Sequence, residues 1–171
     1  MLGGKWIDFF LEPVVVALAL PLYRQLPLIK KYAASIFLGI MAGSVVGVGT
    51  GILFAKVLHF DRLLIETVAA KSVTTPVALS ITETAGGNLS LAAVFVMIAG
   101  ISGAMFGPWV VKICKIEHPV AKGLGIGTAS HAIGTAKALE LGELEGAVSA
   151  LSMTISAVIV SFLVPVFLNF F

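Results

Sequence analysis

Hydrophobic positions in this chain fall into six long blocks separated by short polar links. The blocks run about Trp6 to Leu22, Tyr32 to Leu58, Leu63 to Ala85, Leu89 to Val111, Val120 to Leu139 and Gly146 to Phe171. A hydrocarbon core about 30 Å thick takes some 20 helical residues, and most of these blocks reach that length. Two of them are not clean. The third is broken by Lys71-Ser72-Val73-Thr74-Thr75-Pro76, and the fifth by Gly127-Thr128-Ala129-Ser130-His131-Ala132-Ile133-Gly134-Thr135. Polar groups and non-helical backbone at membrane depth are tolerated only inside protein or beside a water-filled cavity. The breaks are therefore where function is expected.

Composition agrees with the pattern. Of 171 residues, 58% are hydrophobic and 12% charged, and mean hydropathy is +1.08. Soluble domains run nearer 45–50% apolar and about 25% charged. The pattern predicts an all-α integral membrane protein with about four spanning helices plus two broken or re-entrant hairpin segments. A net charge of +2 gives no case for nucleic acid. One cysteine, Cys114, excludes an intrachain disulfide. The first block carries Asp8 and Glu12 and lacks a basic leader, so it does not read as a cleavable signal peptide.

A shift of 60 residues superposes the two broken blocks and sets Lys71 on His131. Ala69, Thr75, Ala78, Leu79, Glu83, Gly86 and Leu91 then fall on identical residues at 129, 135, 138, 139, 143, 146 and 151. Each repeat is one broken segment plus one spanning helix, over 63–112 and 123–171, with residues 1–62 as an N-terminal scaffold. Two topologies are open. If the broken segments span fully, the basic links at 24–31 and 112–122 lie on opposite faces, against the positive-inside rule. If they dip in and return, Arg24, Lys30, Lys31, Lys112, Lys115 and Lys122 share one face, and only Lys56 and Arg62 lie opposite. The second option inverts one repeat on the other. It predicts hairpin tips at Thr74-Thr75-Pro76 and around Gly134 that meet near mid-membrane, as in carriers with inverted repeats.

Lys71 carries the sharpest chemistry, because an ammonium in an apolar segment needs a partner or water. It fits an anionic substrate, with a structural ion pair to Glu66 or Glu83, or snorkelling, as the plain alternative. Ser72, Thr74 and Thr75 add hydroxyls, and Pro76 frees a carbonyl; ordinary back-bonding in a kinked helix is the alternative for these. In the second break, Ser130, His131, Gly134 and Thr135 are the candidates. The imidazole can accept or pass a proton near neutrality, or be a hydrogen-bonded core group. Glu140, Glu143 and Glu145 read as a solvated loop, with a cation or proton relay at the cavity mouth as the alternative. Gly39, Gly43, Gly47 and Gly51 recur every four residues, a small-residue stripe for close packing within the chain or, less readily, for a homodimer. Scattered His59, His118 and His131 give no metal site, and no arrangement points to an enzyme or a cofactor.

At these residues the chain resembles the LrgB/CidB family: Lys71-Ser-Val-Thr-Thr-Pro-Val-Ala, Gly100-Ile-Ser-Gly-Ala-Met-Phe-Gly-Pro108, Gly125-Ile-Gly-Thr-Ala-Ser-His-Ala-Ile-Gly-Thr-Ala-Lys-Ala138, Val16-Ala-Leu-Ala-Leu-Pro-Leu-Tyr23 and Glu145-Gly-Ala147. The resemblance implies a multi-pass protein of the bacterial cytoplasmic membrane, often paired with a small LrgA/CidA-like membrane protein. It also implies further hydrophobic helices ahead of the Val16–Tyr23 motif, where this chain has fifteen residues. Family names speak of antiholins and control of murein hydrolases; other members resemble carriers of pyruvate, glycolate or glycerate. The expected function is transport of such a small monocarboxylate by a homo-oligomer, a dimer being favoured. The competing expectation is an antiholin-like regulator acting through membrane assembly.

Overall fold

A computed structural model describes Leu20 and residues 22–170. The expected first block lies outside the described residues except for Leu20 and Leu22. The described residues form helices and turns, with no strand. In chain order the helices are α1 (Leu26–Lys31), α2 (Ala33–Val57), α3 (Arg62–Val68), α4 (Thr75–Ala85), α5 (Leu89–Ile113), α6 (Pro119–Leu141) and α7 (Glu143–Phe170). Three of them, α2, α5 and α7, are long and apolar enough to cross a membrane, and only 33%, 17% and 22% of their most apolar windows lie inside the molecule. Side chains such as Phe54 on α2, Met105 and Trp109 on α5 and Phe162 on α7 stand more than half exposed. No soluble monomer presents so much apolar surface to water. This is a membrane protein, and these faces meet lipid.

Both anticipated breaks are present. The first separates α3 from α4. Asp61 caps α3 by accepting from the Leu64 amide at 2.9 Å. The chain then turns through residues 69–74 and restarts at Thr75 with Pro76 in the first turn, where a missing N–H costs nothing. α4 ends on Gly86 at φ 89°, a left-handed cap that glycine alone takes without strain. The Asn88 amide donates to Thr67 Oγ1 at 2.8 Å, so the start of α5 is tied back to α3. Thr74 is the residue just ahead of α4, and its hydroxyl makes no capping hydrogen bond.

The second break is at His131, whose φ of 41° and ψ of −136° interrupt α6. The expected turning point was near Gly134, which instead lies in the returning arm, packed on Ser130 and Ile126. The direction of the two arms follows from their contacts with α7. A side chain at Gly123 would strike the Glu145 carbonyl, and one at Gly127 the Ser149 carbonyl. Steps of four on both helices, in the same sense, make that arm parallel to α7. Past His131 the order reverses: Thr135 Oγ1 meets Ser149 Oγ at 2.9 Å, Leu139 covers Gly146, and Gly142 meets the Glu145 carboxylate. The chain doubles back at His131.

Two apolar cores hold these pieces. Ile36 and Ile40 of α2 pack with Val120, Ala147 and Val148; Val48 and Ile52 pack with Ala69, Ala70, Val73, Val96, Val160 and Val164. Early residues of α2 and α7 share one core and late residues the other, so the two helices run side by side in the same direction. The glycine-to-carbonyl contacts set α6 and α7 backbone against backbone. Gly127→Val should cost about 1–3 kcal/mol through overpacking against Ser149, read as a lower unfolding temperature in detergent. Gly125→Ala, where an added methyl meets nothing within 4 Å, should be neutral or slightly stabilising.

Candidate functional site

A cavity of about 760 Å³ lies between α2 and α5, backed by the first arm of α6. Lys71 and Ser72 from the first break line it, and so do Thr128, Ala129 and Ser130 from the second. The chain thus brings both breaks to one space. Lys71 is half-buried. Its Nζ donates to the Gly47 carbonyl at 3.2 Å, near the middle of α2 and about 15 Å from that helix's C-terminal end. An ammonium has three hydrogens to donate, and this is its one hydrogen bond among the described residues. The ion pair weighed for it is not formed: Glu66 Oε1 accepts instead from Arg62 Nε at 2.8 Å, and Glu83 is exposed.

The glycine stripe of α2 explains how the amine reaches this depth. A methyl at Gly51 would lie 2.6 Å from Lys71 Nζ, and one at Gly47 would lie 3.8 Å from Ser72 Oγ. Lower on the same stripe, Gly43 faces Thr128 and Gly39 faces Leu124. All four glycines therefore pack within the chain, on the first break and on the first arm of α6. The opposite wall is α5, where Ala99, Ser102 and Gly103 line the cavity. Gly103 leaves room for the Ser130 side chain, which is packed directly against it. These α5 positions were not expected from the sequence; the spacing of Gly100, Gly103 and Gly107 was the available signal.

The remaining candidates lie elsewhere. His131 is 3% exposed and lines neither large cavity. Its Nε2 meets the Val96 carbonyl at 3.0 Å. A carbonyl only accepts, so Nε2 carries the hydrogen. The ring fits only because Gly100 has no side chain: a methyl there would come within 2.5 Å of Cε1. Thr135 is fully buried and donates to the His131 carbonyl at 2.8 Å. Pro76 lines a second cavity of about 700 Å³, on the side of Arg62, Glu66, Ser80, Thr84 and Asn169. Glu145 departs from the solvated-loop expectation. It is 9% exposed at the start of α7, where a helix N-terminus favours a carboxylate. Glu140 and Glu143 do reach solvent, paired with Lys137 and Arg24.

Comparison with known proteins agrees with the motifs. The LrgB-like family model matches residues 1–170. The uncharacterized protein YxaC of Bacillus subtilis is 46% identical over 165 residues, covering 96% of this chain and 72% of that relative. YwbG of the same organism is 38% identical, covering 99% and 75%. An antiholin-like protein LrgB of Bacillus cereus is 36% identical, covering 98% and 73%. No solved structure matches. The match runs along nearly its whole length, and the chain belongs to the LrgB-like family.

Proposed function

We propose that this protein is a secondary carrier, or the transport subunit of one, for a small monocarboxylate such as pyruvate, glycolate or glycerate. One observation carries the reading: the Lys71 ammonium sits at mid-helix depth on the floor of a cavity, with a single carbonyl partner among the described residues. A cation held there needs an anion or water. A carboxylate on Nζ satisfies it, with the Ser72 and Ser130 hydroxyls and the Thr128 region at hand. His131, Gly134 and Thr135 then act as the clasp that holds the second tip against α5 and α7, while Thr74, Thr75 and Pro76 build the start of α4.

In this reading both breaks are tips of re-entrant hairpins, α3–α4 from one face and α6 from the other. Each precedes a spanning helix, α5 or α7, as an inverted repeat. The reversal of contacts along α7 supports this, and so does the tie between Asn88 and Thr67. Residues 1–62 form the scaffold, and 63–112 with 123–171 form the moving unit of an elevator or rocking carrier. The face bearing Arg24, Lys112, Lys115 and Lys122 is cytoplasmic under the positive-inside rule, in a bacterial inner membrane. Copies associate as a dimer, with an LrgA/CidA-like protein as partner.

A second reading follows the Bacillus cereus relative, an antiholin-like protein: this chain would act as an antiholin-like regulator of murein hydrolases and lysis through membrane assembly. It needs no flux. Uptake into proteoliposomes separates the two. Saturable uptake of labelled pyruvate, glycolate or lactate, with and without a pH gradient, supports the carrier. Its absence both alone and with the small partner supports the regulator.

Two outcomes are expected. Lys71→Met should leave expression unchanged and weaken substrate affinity about tenfold to a hundredfold, the worth of a hydrogen bond to a charged group. Normal uptake in that variant sinks the binding role. On a Cys114→Ser background, single cysteines replacing Phe60 and Ser90 should react with an impermeant maleimide from the same, non-cytoplasmic face. Those replacing Glu117 and Leu141 should react only from the other. Labelling of Phe60→Cys and Ser90→Cys from opposite faces means that α3–α4 spans.

A further inference from the structure

The cavity on Lys71 is far larger and drier than a three-carbon acid requires. Its 760 Å³ is the size that takes a drug-like molecule. Above the amine, its walls are almost wholly apolar: Val46 on α2, and Ile98, Phe106 and Val110 on α5. These four are also lipid-facing, between 46% and 60% exposed, so the cavity is a slot open sideways to the bilayer between α2 and α5. The slot follows α5 from Phe95 to Val111, about 24 Å along the axis, and ends near Ile116 and Ala121. One end is cationic, the hydroxyls of Ser72, Ser102, Thr128 and Ser130 are its other polar groups, and the remaining wall is apolar.

We propose that this slot binds single-chain aliphatic carboxylates, with the head on Lys71 and the chain laid along α5. The inference rests on the assignment of Lys71 as the anion-binding group. Charge complementarity selects the occupant. An ammonium about 15 Å inside the helix end attracts an anion that can be carried to that depth, and a carboxylate can shed its charge in transit by taking up a proton. A phospholipid phosphate stays at the interface, out of reach of Lys71. Small monocarboxylates and aliphatic ones then compete for the same amine, and only the latter use the apolar wall.

The test is photolabelling of the full chain in proteoliposomes by decanoate with a terminal diazirine, mapped by mass spectrometry. Saturable labelling is expected at the far end of the slot, around Phe106–Ile116. Unlabelled decanoate and excess pyruvate should displace it, and decanol should not. Lys71→Met should reduce labelling at least tenfold. Ser102→Trp, which fills the slot from α5 and leaves the amine in place, should do the same. Equal competition by decanol, or unchanged labelling in both variants, means a plain lipid-facing groove and overturns the proposal. Displacement by phosphatidylglycerol carrying the same chain, and not by decanoate, overturns it in favour of a phospholipid. If labelling fails while pyruvate uptake persists and depends on Lys71, the slot inference falls and the carrier reading stands. If the labelling pattern holds with no uptake in any arm, the carrier reading falls and the slot remains a ligand site.

Discussion

Hydrocarbon offers a broken helix no water to bond with, and that constraint organises this molecule. Each interruption at depth leaves backbone groups that must be met by protein. Ala69, Ala70 and Val73 of the first turn are therefore driven into the apolar core shared by α2, α5 and α7. His131, at the second, is buried with its ring nitrogen on the Val96 carbonyl. Both breaks end up against the same stretch of α5. The cavity is what remains between them where α2 and α5 stand apart.

Glycine makes this enclosure geometrically feasible. At Gly123 and Gly127 it lets one helix backbone touch another, at Gly100 it admits an imidazole, and at Gly51 it admits an ammonium. Close approach supplies dispersion contacts in a medium where apolar burial gives no net advantage between helices. The price is a residue of low helix propensity, tolerable in long helices whose backbone bonds have no solvent competitor.

The hydrophobic blocks placed α2, α5 and α7 to within a few residues, since a bilayer dictates length and composition together. The breaks were visible because lysine, histidine and proline are out of place in such blocks. Lys71, Ser72 and Ser130 stood out on that ground, and the fold brings all three to the wall of one cavity. The opposite wall was less legible: the Gly100, Gly103 and Gly107 spacing marks a close-packing face, but Ala99 and Ser102 look like any apolar helix, and the rotation that turns them inward is set by packing with α6. The chain turns at His131, three residues ahead of Gly134, because the imidazole's hydrogen bond to Val96 and the gap at Gly100 fix the break there, which residue type alone does not reveal. The burial of Glu145 was equally hidden, as three nearby carboxylates read as solvated until one of them folds under a helix start.

The joints of the molecule are not alike in stiffness. Between α6 and α7 the contacts run from main chain to main chain, at Gly123 on Glu145 and Gly127 on Ser149. Between α2 and the same arm they run from bare glycine to side-chain tips, Leu124 on Gly39 and Thr128 on Gly43. Methyl-bearing tips on a bare helix flank can slide by small rotamer changes, whereas interlocked backbones cannot. The joint between α6 and α7 is therefore the stiffer of the two, and the seam between α2 and the first arm of α6 the more yielding.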